Sequence, residues 1–357
     1  MSMRHCLALL FLVAANCFGQ NDISTLLSKA NHGDSQAQLL IAKAYEKGDG
    51  VPQSDELAVQ WYTKAAQNGN PDAQNALGII YSTGHGVERD KEAAVRWYRM
   101  AAKQGSAVAA FNLGAAYYNG DGVPVDDAAS LEWFLIAKES GSGPAAAAVE
   151  RAVAEDVRKS IVTRGELQAA ALCEQGTEVP QNYELAMKFY REVFERGDNA
   201  AAVRLGNLFA EGKGVSRDDE QAVTWYRRAA DNKYPIGYFY LGLMADHGRG
   251  MAADPIRAVD WYSKAADAQE PHAMINLGLM YQDGRPGVPQ DNVRAYEYFL
   301  LASLYGVPNG TKAAEQLKAR MPQKQISEAK KRADKWLLSH RAVGLLTSAP
   351  QPTEGPK

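Results

Sequence analysis

A chain of 357 residues, 46% of them apolar, with a formal net charge of −3, is long enough for two ordinary domains and apolar enough to fold. The charge argues against a general nucleic-acid binder, which would show a basic patch or domain. The apolar content argues against bulk disorder. In chain order, "MSMRH" is short and basic, and "CLALLFLVAA" is too short to span a membrane comfortably. Cys17 and Gly19 then sit three and one before a cut after Gly19. Residues 1–19 therefore read as a secretory signal peptide, and the expected location is periplasmic or secreted. A lipoprotein cut before Cys17 is disfavoured by Asn16, where a small residue is expected. After cleavage Cys173 is the one cysteine left, so no internal disulfide is expected. No later apolar run reaches membrane length.

From residue 37 the chain repeats itself with a 36-residue period. Units start at Ala37, Ala73 and Ala109, and again at Gly165, Ala201, Gly237 and Ala273; the last has one extra residue within "GRPGV". Each unit predicts two helices. Helix A carries small or apolar residues four apart, as in Ala73, Leu77 and Tyr81. A small residue follows the apolar residue four places into each unit, for example Gly78, Ala170 and Gly206, although glycine inside a helix costs up to about 1 kcal/mol. That cost implies close approach of helix B at this point. Turns such as "GHGV" and "GKGV" end helix A with left-handed glycines. Three residues on stand Ser54, Asp90, Asp126, Asn182, Asp218, Asp254 and Asp291. All are N-cap types, and serine and asparagine substitute for aspartate as capping permits and acid–base chemistry does not. Helix B carries an aromatic pair, as in "AVRWYRMAA". Trp61, Trp97, Trp133, Trp225 and Trp261, with Phe189 and Tyr298 in two units, read as core wedges between neighbouring repeats.

A hairpin of this size cannot bury its own apolar face, so hairpins must stack into a continuous core. The stretch "ALGIIYSTGHGVERDKEAAVRWYRMAAKQG" resembles a SEL-like repeat, a relative of the tetratricopeptide repeat. Leu-Gly, Tyr, Gly-x-Gly-Val, Asp, Ala and Trp-Tyr all fall in register, and the resemblance covers about residues 35–338. It implies an all-α fold, a right-handed α/α superhelical solenoid of seven repeats with a C-terminal helical cap. It further implies a binding or adaptor surface and no catalyst.

The expected organisation is a first array over 20–144, a helical joint over 145–164 and a second array over 165–309. Capping helices over 310–338 and a disordered tail over 339–357 follow. The joint lacks the Gly-x-Gly-Val turn, and reads either as a hinge or as drift in a tolerated interior repeat.

The search for chemistry returns little. His32, His85, His247, His272 and His340 have no metal-ligand spacing, and His85 sits in a turn with no partner expected. "SEAK" at 327–330 matches SxxK without the companion motifs, and reads as solvated helix. Cysteine-rich relatives are linked to penicillin binding, but their regular cysteine pairs are missing here. "NGDGVPVDD" fails the EF-hand spacing. No cofactor and no metal are expected. In related tetratricopeptide arrays, ligand contacts come from helix A positions facing away from helix B. Carried onto this register, the candidate partner-binding residues are Phe111, Tyr118, Asn207, Glu211, Phe239, Asp246 and Asp283. The aromatics are natural anchors, and the acids favour a basic patch on the partner.

The expected function is a non-catalytic periplasmic adaptor or inhibitor with a protein in its concave face, no nucleic acid and no stable membrane insertion. One form of it, known among periplasmic SEL-like proteins, is an immunity protein that neutralises a phospholipase effector of type VI secretion. The alternatives are a scaffold or regulator of envelope, exopolysaccharide or motor assembly and, last, a hydrolase of the β-lactamase-like kind.

Overall fold

The computed structural model describes residues 20–154 and 159–340. The expected signal peptide and all but two residues of the expected tail lie outside them. Among the described residues are eighteen α-helices and one isolated bridge, between Arg285 and Val288. The chain forms two compact units, one ending at Arg196 and the other beginning at Gly197.

In the first unit α1 (Gln20–Asn31) precedes three hairpins: α2 (Ser35–Lys47) with α3 (Asp55–Gln67), α4 (Pro71–Thr83) with α5 (Lys91–Ala102), and α6 (Ala107–Asn119) with α7 (Asp127–Glu139). Then come α8 (Gly143–Ala154), α9 (Lys159–Gln175) and α10 (Tyr183–Glu195). The second unit holds α11 (Asn199–Glu211), α12 (Asp219–Asp231), α13 (Pro235–His247), α14 (Pro255–Asp267), α15 (Pro271–Asp283) and α16 (Asn292–Leu304). It ends in α17 (Pro308–Lys318) and α18 (Gln323–Ser339).

The helix boundaries follow from the repeated capping chemistry. All seven expected N-cap side chains accept from free N–H groups of helix B; the Asp90 bond to the Ala93 N–H is 2.8 Å long. Each contributes about 1 kcal/mol. Left-handed glycines such as Gly84 and Gly212 close helix A. The mid-helix glycine is explained by the second aromatic of the pair, not by the tryptophan. A Cβ on Gly242 would lie 2.5 Å from Cδ1 of Tyr262, and one on Gly114 would lie 2.6 Å from Cδ1 of Phe134. Tyr62, Tyr98, Tyr190, Tyr226, Tyr262 and Phe299 are buried at this position. The tryptophan position varies: Trp133 is fully buried, Trp61 and Trp225 are buried at the edge of the core, and Trp261 is half-buried. Trp97 is half-buried against the core of the first two repeats, and Lys64, Arg228 and Lys264 ride over Trp61, Trp225 and Trp261.

Two polar devices recur at a separation of thirty residues. At one end of the hairpin Asn68 donates to Gln38 (2.9 Å), Gln104 to Gln74 (2.7 Å), and Arg196 makes a two-pronged bond to buried Glu166 (2.7 and 2.8 Å). At the other end the first residue of one helix B pairs with the turn of the next repeat. Asp55 meets His85 at 3.1 Å, Lys91 meets Asp121, and Asp219 meets Arg249 at 2.6 Å. His85 thus has a partner, contrary to expectation, because the stacking of repeats carries its turn onto the start of the preceding helix B.

The interruption has an internal logic. α8 keeps the helix A register, with Ala145 and Val149 buried where Ala109 and Leu113 stand one period earlier. Ser142 caps it through the Ala145 N–H as Ser106 caps α6. It is a helix A with no helix B of its own. The longer α9 then packs on α7 and also forms helix A of the next hairpin with α10. The first compact unit ends at Arg196, after α10. The second unit ends in the same way: α17 continues the helix A register and α18 folds back on α16, where Arg332 meets Glu297 at 2.6 Å. Order continues beyond the expected start of the tail. Ser339 ends α18, and His340 stacks on Trp336 at 4.1 Å while its carbonyl accepts from Gln269.

Candidate protein-binding site

The helix A positions expected to face a partner divide by the residue that follows sixteen places later. Where that residue is tyrosine, its hydroxyl takes an acceptor from helix A. Tyr62 donates to Glu46 and Tyr190 to Glu174, both at 2.6 Å. Tyr226, which has Ala210 at that place, donates to Asn207 instead (2.8 Å). Asn207 is thereby committed inside its own hairpin. Asp246 stands at the same position before Tyr262 but is one methylene shorter than glutamate, and the buried Tyr262 hydroxyl makes no hydrogen bond. Where the residue is phenylalanine, as at Phe134 and Phe299, there is no hydroxyl to serve. Tyr118, 60% exposed, stands at that place before Phe134; before Phe299 the extra turn residue puts half-buried Gln282 there, and exposed Asp283 lies one residue further on, at the position of Glu211.

The remaining candidates also separate. Phe111 is half-buried, its ring centroid 5.4 Å from that of Phe134. Phe239 is half-buried among Tyr240, Tyr262 and His272. Both are packing residues with one accessible edge. Glu211 is exposed and pairs with Lys213 at 2.7 Å. Ile79 and Leu279, one turn before that sixteen-residue position, add exposed apolar side chains to helix A, at 43% and 40%.

In the first unit a cleft of about 290 Å³ opens between α6, α7, α8 and α9. Phe111, Ala115 and Tyr118 come from α6, and Leu131 and Phe134 from α7. Ala148 and Arg151 come from α8, and Ile161 and Val162 from α9. Sequence reasoning reached Phe111 and Tyr118 but missed the cleft. The missing Gly-x-Gly-Val turn after α8 was its one signal, since elsewhere such a turn is packed against the preceding helix B.

Ionisable groups elsewhere read as structural. Cys173 is buried, and burial pushes its thiol up to about 12, so it is no thiolate at neutral pH. Glu132 on α7 is raised to about 8, chiefly by burial and further by the charges of Glu178 and Asp126. The guanidinium groups of Arg249 and Arg217 hold Asp219 down to about 2. Asp121 and Asp126, from the calcium-like stretch, are used by Lys91 and by the α7 cap with Arg164. Ser327 of the SxxK match is exposed and donates to the Gln323 carbonyl. Among the described residues no cluster of histidine, cysteine, aspartate and glutamate could hold a metal ion. Nor is any described helix long and apolar enough to cross a membrane.

Comparison with known proteins agrees with these hairpins. No curated protein matches the chain. Among solved structures, a protective antigen of uropathogenic Escherichia coli with an SLR fold is 24% identical, covering 93% of this chain and 91% of its own, with a TM-score of 0.35. A Sel1 repeat protein from Oxalobacter formigenes is 24% identical over 88% and 89%, with a TM-score of 0.44. An immunity protein from Pseudomonas aeruginosa is 17% identical over 66% and 81%, with a TM-score of 0.31. The family model of the Sel1 repeat matches residues 35–70, 71–106, 107–142, 165–198, 199–234, 235–269 and 271–304, well over half of the sequence. Its seven matches coincide with the seven complete hairpins and skip α8, and on that ground the chain belongs to the Sel1 repeat family.

Proposed function

We propose that this protein is a non-catalytic periplasmic solenoid that holds a partner protein against its helix A face. We further propose that it acts as an immunity protein, blocking a phospholipase effector of type VI secretion. Sel1 repeat proteins mediate protein–protein interaction. The observation that carries the reading is a division of labour along helix A. The recurring residues are consumed by caps, glycine notches and tyrosine bonds, whereas Tyr118, Ile79, Leu279, Glu211 and Asp283 are exposed and differ from repeat to repeat. Export rests on the sequence pattern of residues 1–19. The test is affinity capture of partners from envelope extract, followed by challenge of cells lacking the protein. The expected result is one effector captured in stoichiometric complex, with its lipase activity blocked and the mutant cells sensitive to it. Capture of envelope-assembly proteins with no change in sensitivity would replace immunity by a scaffold role. Turnover of a substrate by the purified protein would overturn the non-catalytic reading.

A further inference from the structure

We infer that the cleft between α6, α7, α8 and α9 seats a large apolar side chain of the protein partner, flanked on the partner by a carboxylate. This rests on the protein-binding reading above and names the chemistry of its anchor. The same intersection one repeat earlier, between α4, α5 and α6, encloses only about 140 Å³. There the second half of α6 and the turn after it close the gap with Ala116, Asn119 and Asp121, and Lys91 pairs with Asp121. At the cleft, Ile161 and Val162 of α9 line the wall instead, and the space doubles to about 290 Å³. That is at the lower end of ligand pockets, which run from about 300 Å³, and suits one side chain better than a cofactor.

The lining fits an apolar occupant. Leu131, Phe134, Phe111, Ile161 and Val162 supply the floor and walls. The Ser130 hydroxyl is already spent on the Gly114 carbonyl at 2.9 Å, so it asks for no polar partner. Tyr118 stands over the rim because Phe134 offers it no hydroxyl bond. An aromatic at the rim of an apolar pocket is the usual make-up of a binding hot spot. The lining's carboxylate, Asp127, is half-buried and already engaged by a partner, so the charge preference comes from Arg151. Its side chain is exposed at the mouth, and its Nε donates to the Ala147 carbonyl of its own helix at 3.2 Å, which fixes the stem and leaves the positive charge facing outward. A carboxylate beside the inserted side chain complements it.

The probes are three blocked peptides, acetyl-Gly-Phe-Glu-Gly-amide, its Phe-Lys counterpart and its Ser-Glu counterpart, titrated into full-length protein with labelled Ile, Leu and Val methyl groups. The expected result is that the Phe-Glu peptide shifts the methyl signals of Ile161, Val162 and Leu131. It should bind about threefold more tightly than Phe-Lys, as an exposed ion pair allows, and about tenfold more tightly than Ser-Glu. Arg151→Glu should reverse the Glu–Lys preference, and Tyr118→Ala should weaken both phenylalanine peptides; both residues are exposed, so folding is spared. Ala148→Trp, checked by circular dichroism, should fill the cleft and abolish the shifts. Equal binding of all three peptides, or shifts away from these methyls, would overturn the inference. A partner captured equally by wild type and by folded Ala148→Trp and Arg151→Glu variants would overturn it while sparing the protein-binding reading. Failure of the wild type to capture any protein would instead sink that reading.

Discussion

A methyl group added at Gly242 would meet the Tyr262 ring at 2.5 Å, and that ring has nowhere to go because it is fully buried. Gly242→Ala should therefore destabilise the second unit by about 1–3 kcal/mol, as overpacking does, despite the better helix propensity of alanine. Urea denaturation checks this, and a neutral or stabilising result would contradict the notch. The opposite sign is expected at Lys233. It and Gln269 hold φ values of 61° and 66° in the turn from helix B to the next helix A, where Gly33, Gly69, Gly105, Gly141, Gly197 and Gly306 stand in other repeats. Lys233→Gly should stabilise by about 1 kcal/mol through relief of left-handed strain. The third residue-scale prediction concerns pH. Glu132 and Glu297 occupy the same helix B position and both are buried, because α9 covers one and α18 the other. Glu297 has the Arg332 guanidinium at 2.6 Å, whereas Glu132 lies among Glu178 and Asp126 and is raised to about 8. The unfolded carboxyl titrates near about 4.3. A pKa raised on folding gives a contribution to stability that is full below the unfolded value and is lost as pH rises through the folded one. The first unit should thus weaken steadily between about pH 5 and about pH 8, and Glu132→Gln should flatten that slope in thermal melts. An unchanged slope would move the cause elsewhere.

The elements were largely legible in the sequence, and the reason is local. A cap residue, a left-handed glycine and a period are each set by a few neighbouring residues, so Asp90, Gly84 and Ala73 declare their roles without the fold. What could not be read depends on contacts thirty residues apart or more. The Gln38–Asn68 clasp, the helix A character of α8 and the choice of Tyr98 over Trp97 for the glycine notch all required the stacked repeats. The turn-to-helix ion pairs are the instructive case. Their polarity reverses from Asp55–His85 to Lys91–Asp121 and returns in Asp219–Arg249, so each seam has its own pairing. The Asp219–Arg249 pair is expected to act as a register key between consecutive hairpins. Asp219→Asn and Arg249→Gln should each destabilise by about 1 kcal/mol, and the double variant should lose less than their sum, since the Arg217 bond of Asp219 is lost equally in the Asp219 single variant and the double. A double-mutant cycle measures the coupling. An additive cycle would mean that the pair decorates the seam without contributing to it.

At the scale of the whole molecule, the binding surface was legible only in part, because exposure of a helix A residue depends on what its own helix B offers it. In the sequence Asp246 reads as a member of one acidic row with Glu211 and Asp283. Asp246 is half-buried at the position where Glu174 bonds Tyr190, while Glu211 and Asp283 lie one residue further along helix A and are exposed. The acids should therefore behave differently in binding. Charge reversal at Glu211 and Asp283, both exposed, should slow association with a basic partner and reduce its salt dependence, leaving the melting temperature nearly unchanged. Asp246→Lys should do something else. It places a cation beside a buried hydroxyl already short of a partner, so its effect should appear first in the stability of the second unit, with any loss of binding following from that. Tyr118→Ala in the first unit should act on dissociation, because an aromatic at the rim of an apolar cleft contributes after encounter rather than during it. Surface-based kinetics across a salt series, with circular dichroism of every variant, separates the three outcomes. If Asp246→Lys changed only the association rate, its partial burial would not be what sets that position apart, and the acidic row would have to be restored as a single face. If folded Glu211, Asp283 and Tyr118 variants all bound as wild type does, the partner would lie on the helix B side, against the cation-covered tryptophans of α3, α12 and α14.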